Sequence, residues 1–434
     1  MTAAGRPDEG PERAAVVRPA SLEELARLVR EARRVLPRGG GTKVRSWEAA
    51  PAPPAGGGRD AANPWAADDV LVLDTTGLAG VVEYDPAEFT VTVRAGTPVA
   101  ALEALLAEHG QYLPFDPLLV DAGATVGGTV AMGVSGACRL RYGGVRDFVL
   151  GVTCVDGEGR VVRAGGRVVK NAAGYDLPKF LCGSMGRFAV LAELTFKVFP
   201  RPEEFLTVVL ACPDVAEAAT ALRALYRSPL EPHALEVAAP GVLDGLLPAE
   251  VAPAAPTEPA GSAYLLLVRI GGPAAILRGW ADRVIECVRE ATGRPPAAEV
   301  LAGAAERRLW TALRELAWAG RRDAGRADGG PLLRLYSRPA LMPELDALLD
   351  RHGARRLHSQ AATAAWVLFP DEPAWEALLP ALRAAAVPAL LWAGSGPWPG
   401  GYLVPPAGTA VAQALKRVFD PHGRLPPLPW EEGV

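Results

Sequence analysis

Leu22, Leu25, Leu28 and Val29 recur at helical spacing directly behind Ser21, with Glu24 three residues after the serine. A hydroxyl in that position can cap a first turn, so the pattern predicts a helix that ends before Pro37. Val70–Asp74 and Thr90–Arg94 read as strands, and Gly96–Thr97–Pro98 turns the chain into a helix over Val99–His109 with Leu102, Leu105 and Leu106 on its apolar face. Strand patterns dominate from 149 to 198, at Val149–Val155, Arg160–Arg163 and Leu191–Val198. Pro200–Arg201–Pro202 breaks the pattern. Beyond it strands and helices alternate: Phe205–Ala211, Val215–Tyr226, Ala263–Ile270, Ala274–Ala291, Leu332–Tyr336, Met342–His352, Ala364–Phe369 and Ala374–Ala385. A last helix, Val411–Phe419, stops at Asp420–Pro421–His422–Gly423.

Two β-α-β-like units after residue 201 predict an α+β fold whose sheet carries helices on one face. The boundaries expected are 1–200, 201–400 with a mixed sheet, and a closing segment 401–434 that returns to the first domain. Residues 49–67, rich in Pro, Gly and Ala, read as a loop or flexible insertion.

The chain's 434 residues suffice for two or three domains, and a net charge of -4 offers nucleic acid no basic face. Five scattered cysteines contain no C-x-x-C, which argues against a disulfide framework, an iron–sulfur cluster or a zinc site and favours reduced thiols in the cytoplasm. The first 18 residues lack a signal peptide's apolar segment, and no apolar run reaches transmembrane length. Membrane association would have to come through a partner. Four of the five lysines, Lys43, Lys170, Lys179 and Lys197, fall before residue 200, with Lys416 alone beyond it.

Candidate chemistry sits in glycine-rich stretches. Arg38–Gly39–Gly40–Gly41–Thr42–Lys43 lacks Walker A spacing. It is either a plain turn or an anion nest of successive N–H groups flanked by two cations. In Ala124–Thr125–Val126–Gly127–Gly128, the glycines permit close backbone approach, while Thr125 and Ser135 each offer a hydroxyl. Such bare backbone suits a dinucleotide, though a tight structural turn would use the same residues.

Four motifs in order then resemble a known family: Gly127–Gly128–Thr129–Val130–Ala131, Arg146–Asp147–Phe148–Val149–Leu150–Gly151–Val152, Lys170–Asn171–Ala172–Ala173–Gly174–Tyr175–Asp176 and Gly183–Ser184–Met185–Gly186. They are similar to the FAD-binding domain of the vanillyl-alcohol-oxidase or PCMH type, in the branch of D-lactate and glycolate dehydrogenases and their FAD-binding E-type subunits. The resemblance covers about residues 15–200 and thins beyond. It implies a two-subdomain FAD-binding domain with an α+β cap.

By that resemblance, Arg38, Gly39, Gly40, Gly41, Thr42 and Lys43 would cradle the pyrophosphate. Asp116, Pro117, Thr125, Val126, Gly127, Gly128 and Ser135 would line the flavin and ribityl side. Asp147, Gly183, Ser184, Gly186 and Val190 would hold the cofactor through backbone groups, with the Arg160–Lys170 hairpin supporting the site from outside. The family's covalent attachment commonly uses a histidine in the first glycine loop. Gly41–Thr42 has none, so non-covalent FAD is expected. Two further departures are the bulky pair in Gly186–Arg187–Phe188–Ala189–Val190 and Pro426 where asparagine is common.

Catalytic residues stay unassigned. The glycine- and histidine-rich metal and base segment of related catalytic subunits is missing, no metal is expected, and the five histidines (His109, His233, His352, His358, His422) are scattered. Trp310 and Arg314 share a helical face, either toward a flavin cavity with Arg314 as carboxylate clamp or as an ordinary buried Trp beside an exposed Arg.

The resemblance implies an FAD-bearing subunit of a bacterial glycolate or 2-hydroxy-acid dehydrogenase complex. It would work beside a second FAD-binding catalytic subunit and an iron–sulfur subunit, relaying electrons or supporting the partner's oxidation. A self-sufficient dehydrogenase using Tyr175, His422 or another base, and a flavin-free assembly protein, remain open alternatives.

Overall fold

A computed structural model describes residues 15–43, 70–166, 176–248, 263–320, 330–394, 402–405 and 408–428. The predicted 49–67 insertion, Lys170–Tyr175 and the last six residues lie outside them. Strand β1 (Val16–Val17), β2 (Arg34–Arg38) and β3 (Val70–Asp74) form a parallel sheet in the order β1-β3-β2. The helix Leu22–Glu31 covers it with Leu25, Ala26 and Val29, and Ser21 caps that helix by accepting the Glu24 N–H. A cap of this kind is worth about 1 kcal/mol. β2 was missed by the sequence pattern because Pro37 sits inside it. The strand tolerates a proline where the ladder needs no N–H.

A second sheet, wholly antiparallel, has the order β4-β5-β9-β7-β8. Its strands are β4 (Val81–Asp85), β5 (Thr90–Arg94), β7 (Val149–Asp156), β8 (Val161–Gly165) and β9 (Ala189–Lys197), while β6 (Gln111–Tyr112) pairs with β10 (Phe199–Pro200). One face buries Val91, Val93, Val152, Leu194 and Phe196 against the helices Val99–Ala107 and Val126–Met132.

The second lobe is one nine-stranded sheet, order β14-β11-β13-β12-β16-β17-β15-β18-β19. Its strands are β11 (Glu204–Cys212), β12 (Ala234–Ala238), β13 (Tyr264–Gly272), β14 (Ala297–Ala302), β15 (Leu332–Tyr336), β16 (Arg355–Ser359), β17 (Ala364–Leu368), β18 (Ala389–Ala393) and β19 (Tyr402–Val404). Every pairing is antiparallel, which corrects the expectation of a mixed sheet. The physical reason is that β13 inserts between the strands joined by the helix Val215–Arg227, and β17 does the same for the helix Met342–Arg351. Each β-α-β-β-α-β unit therefore interleaves its own hairpin. Two such units lie side by side, joined where β12 meets β16 through Val237↔His358 and Ala238↔Leu357.

Strand alternation divides this sheet's residues between two surroundings. Leu206, Val208, Leu210, Leu266 and Val268 pack under the helices, whereas Val209, Leu267, Leu357, Trp366 and Leu390 join the core of the first lobe. Helices therefore cover one face and the first lobe the other, as the α+β reading expects.

Two tethers fix the lobes together. In the turn between β16 and β17, Gln360, Ala361 and Ala362 are three successive non-glycine residues at φ 57°, 55° and 60°. Gln360 Nε2 donates to the carbonyls of Ser135 and Gly136 across the lobe boundary, at 2.8 and 2.9 Å. At the other end, the helix Thr409–Phe419 brings Lys416 into the first lobe. The buried Lys416 Nζ donates to Asp420 and to the carbonyls of Arg187, Pro426 and Leu425. No helix among the described residues is long and apolar enough to cross a membrane.

Candidate functional site

Two cavities meet the stretch that runs from Asp116 to Cys138. The first is lined by Pro37, Arg38, Gly39, Thr75, Gly127, Gly128, Met132, Met185, Gly186 and Val190 among others. Among the described residues Arg38 is its only ionisable wall residue; apart from the Thr75 hydroxyl, the rest is apolar side chain or bare backbone. Six of the sequence candidates thus line one space: Arg38, Gly39, Gly127, Gly128, Gly186 and Val190.

Close approach of chains explains the glycines. A Cβ on Gly39 would lie 2.2 Å from Thr125 Oγ1, one on Gly40 2.0 Å from the Gly123 carbonyl oxygen, and one on Gly127 2.7 Å from Ala95 Cβ. Val126–Met132 is a helix rather than a tight turn: Thr125 caps it by accepting the Gly128 N–H, and Gly133 closes it in the left-handed conformation. Within it the Val126 and Gly127 amides are already committed, to Thr97 and Ala95. The Gly40 and Gly41 amides are different. Among the described residues no hydrogen bond uses them, and Gly41 turns the loop at φ 68°.

Around this cavity lie further candidates. Ser184 is buried and its hydroxyl has no partner among the described residues, as is true of Thr129 in the helix. Gly183 donates to Val130 and packs against Gly133. Lys43 is buried with only Thr42 Oγ1 in reach among the described residues, at 3.3 Å, and burial pushes its ammonium down to about 7, the charge of Glu315 opposing the shift. Other candidates stand apart. Ser135 is buried and accepts the Val145 N–H, Pro117 and Val126 are buried, and Asp147 is exposed and caps its own helix by accepting the Gly144 N–H.

These residues fit FAD. Free amides at Gly40 and Gly41 with Arg38 and Lys43 suit a pyrophosphate. The apolar walls suit flat rings, and the orphaned Ser184 and Thr129 hydroxyls need the partner that a polar ligand would give. A phosphate near Lys43 would raise its pKa, so FAD binding should take up a proton above pH 7. FAD affinity is then expected to weaken as pH rises past about 7, and Lys43→Met should abolish that slope. Fluorescence titration of FAD between pH 6 and 9 measures it.

The second, smaller cavity lies between the lobes and is walled by Asp116, Gly136 and Ala137 from the first and Glu236, Trp310, Arg314, Ser359 and Trp366 from the second. Asp116 enters it with backbone φ 57°, its carboxylate accepting the Ala137 N–H. Trp310 and Arg314 do face it, but of the two roles left open for Arg314 the clamp is not available: its guanidinium binds Glu103 at 3.2 Å, with Asp121 and Glu315 within 4 Å. Trp310 donates to Thr207 Oγ1.

Two residues the sequence reading missed dominate this boundary. Arg334 is 1% exposed, lies over the Trp366 ring at 4.6 Å, and its Nε and Nη1 have no hydrogen-bond partner among the described residues. Burial pushes its pKa down to about 10, with the charges of Tyr336 and Glu236 opposing that shift. Glu236 is equally buried. Its Oε1 accepts from Ser359 Oγ at 3.0 Å and the Gln360 N–H at 2.8 Å, and burial pushes its carboxyl up to about 7 against those bonds. The available signal was one charge in the middle of an apolar strand, in Leu332–Leu333–Arg334–Leu335 and in Ala234–Leu235–Glu236–Val237. His358 and His233 prove to be structural: the first binds Asp346 and the second Tyr142.

A family model described as an FAD binding domain matches residues 13–165, and one described as the C-terminal domain of FAD linked oxidases matches 201–334. Glycolate oxidase subunit GlcE of Escherichia coli (strain K12) is 46% identical over 136 residues, 31% of this chain and 39% of that protein. Glycolate oxidase subunit GlcD of Bacillus subtilis (strain 168) is 27% identical over 51% of this chain and 44% of that protein; a D-lactate dehydrogenase of Archaeoglobus fulgidus is 30% identical over 51% and 46%. The chain thus spans less than half the length of these curated relatives. A solved structure of alkyldihydroxyacetonephosphate synthase superposes at TM-score 0.63 over 94% of this chain and 75% of that one, with 18% identity, a likeness of fold. FAD is the cofactor this family carries, and the histidine-free 38–43 loop agrees with its non-covalent attachment. With an FAD-binding domain leading into the matching C-terminal domain, the chain belongs to the FAD-linked oxidases.

Proposed function

We propose that this chain is the FAD-bearing subunit of a glycolate-type dehydrogenase assembly and oxidises a small 2-hydroxy acid itself, in the cavity between its lobes. In this reading residues 1–200 hold FAD, 201–400 form the cap, and 401–434 return to the first domain. Arg38–Lys43, Asp116–Pro117, Thr125–Gly128, Ser135, Asp147, Gly183–Ser184, Gly186 and Val190 form the cofactor's surroundings. A second flavoprotein and an iron–sulfur subunit complete the assembly in the cytoplasm, at the membrane only through a partner. The likeness to two glycolate oxidase subunits supports the assembly.

The observation that carries the reading is Arg334. A guanidinium in a buried strand with unpartnered donors is costly to the fold and suits an anionic ligand. It favours direct oxidation over an electron relay, which has no use for such a group. Bound FAD supplies the electron acceptor, while Arg334 would hold the substrate carboxylate and the lobes would exclude water.

The purified chain, loaded with FAD and mixed anaerobically with glycolate or D-lactate, should lose its flavin colour. Yellow protein that none of these acids bleaches would support the relay, and colourless protein that gains nothing from added FAD the assembly role. Arg334→Met should weaken 2-hydroxy-acid binding by about 2–3 kcal/mol, a charged hydrogen bond's worth. It should also raise Tm, since it removes a buried guanidinium whose Nε and Nη1 have no hydrogen-bond partner among the described residues.

A further inference from the structure

Resting on the reading that a 2-hydroxy acid is oxidised between the lobes, we infer that Glu236 is the catalytic residue that accepts the substrate's hydroxyl proton. Glu236 walls the interlobe cavity, and both of its hydrogen bonds, from Ser359 Oγ and the Gln360 N–H, land on Oε1. Oε2 therefore has no partner among the described residues. The same turn that binds Oε1 is anchored to Ser135 and Gly136 through Gln360, so the carboxyl is positioned from both lobes. Glu236 and Arg334 share one buried field without forming an ion pair. Arg334 packs over Trp366 of the cavity wall, so in the proposed function the guanidinium takes the substrate carboxylate and Glu236 offers its free oxygen to the hydroxyl.

The chemistry balances with FAD as oxidant. The carbinol C–H bond would break, with bound FAD as the acceptor of its hydrogen as hydride. The O–H bond breaks, its proton goes to Glu236 Oε2, and the C=O of the 2-oxo acid forms. Burial and the charge of Asp116 disfavour the Glu236 carboxylate, while Arg334 and the two hydrogen bonds favour it, which leaves the group titrating at about 7. The other ionisable groups around it are Cys138, Arg314 and the Arg269–Glu306 pair. A base of this kind becomes competent as pH rises through 7.

The test uses the full chain loaded with FAD, as wild type, Glu236→Gln and Glu236→Asp. In wild type minus Glu236→Gln infrared difference spectra, a protonated-carboxyl band is expected at pH 6 and gone at pH 8. Anaerobic bleaching by glycolate or D-lactate should rise with pH to a plateau above 7 in the wild type. Glu236→Gln should bleach 10²–10⁴-fold more slowly with no such pH dependence, yet bind glyoxylate or pyruvate within about threefold of wild type. Glu236→Asp should recover part of the rate. Glu236→Gln bleaching at the wild-type rate, or no infrared band, overturns the assignment and leaves the hydroxy-acid reading standing. Wild type that no 2-hydroxy acid bleaches while the band is present defeats the hydroxy-acid reading and the assignment with it, since Glu236 would then have no hydroxyl proton to accept.

Discussion

Gly40→Ala is expected to cost the protein its FAD, whereas Gly41→Asn, one residue on, should keep it. The two glycines serve different ends. At Gly40 an added Cβ would lie 2.0 Å from the Gly123 carbonyl oxygen and 3.0 Å from its carbon, both backbone atoms that cannot swing aside. The 38–43 loop must then lift from the loop before the helix Val126–Met132, and the amides of Gly40 and Gly41 lose their aim together. Overpacking of this kind costs about 3 kcal/mol, roughly a hundredfold in affinity. At Gly41 a Cβ meets nothing within 4 Å, and the only demand is φ 68°. Asparagine adopts that conformation more readily than other side chains, at a cost of about 1 kcal/mol. Flavin absorbance retained through purification, followed by FAD titration of both variants, separates the two demands. Equal affinities would show that the loop does not depend on contact with Gly123.

Asp346→Ala should produce the largest loss of stability. Asp346, on the helix Met342–Arg351, meets strands β16 and β13 beneath it. Its carboxylate accepts from Arg356 Nε and Nη2 at 2.7 and 2.8 Å, from His358 Nε2 at 2.9 Å and from the Tyr264 hydroxyl at 2.5 Å. Burial works to raise its pKa, but the bonds from Arg356, His358 and Tyr264 outweigh it and hold the carboxyl well below the usual range. Removing the carboxylate leaves a guanidinium that is itself 6% exposed with only the solvent-exposed Asp350, at 2.9 Å, as an acidic partner among the described residues. Breaking a buried pair this way costs about 3–5 kcal/mol, or roughly 6–20 °C in Tm for a lobe of this size. Because the folded pKa is depressed, the stabilisation is present above the unfolded value near 4 and lost as pH falls through the folded one. The variant should therefore show a flatter acid arm in thermal melts from pH 7 down to 2. A Tm within 2 °C of wild type would mean the network adds nothing net.

Much of the scaffold was readable because its signals are local. The Ser21 cap, the apolar rows of Val215–Arg227 and Ala274–Thr292, and the strands Val70–Asp74 and Thr90–Arg94 each need only neighbours in sequence. Where the reading departed, a distant contact decided. Pro37 lies within a strand because β3 pairs alongside it, and Gly127 sits inside a helix because Ala95 packs against it. The antiparallel sheet follows from hairpins that insert between strands the chain had already joined, which no local pattern encodes. The glycine-rich loops announced a crevice by their composition. Glu236 and Arg334 gave no such notice, since each is a single charge on a separate strand and their common surroundings exist only after two units pair at β12 and β16.

The left-handed run Gln360–Ala361–Ala362 has a consequence for how ligands come and go. Each non-glycine residue held in that conformation costs about 1–2 kcal/mol, so relaxing the turn would release energy, yet Gln360 holds it shut against the opposite lobe through two carbonyls. Swinging the halves apart like a clamshell would break both contacts at once and also strip apolar surface from Trp366, Leu357 and Leu390. Traffic through this protein should therefore run by side doors, small local breathing at the rim, while the two halves stay latched through every turnover.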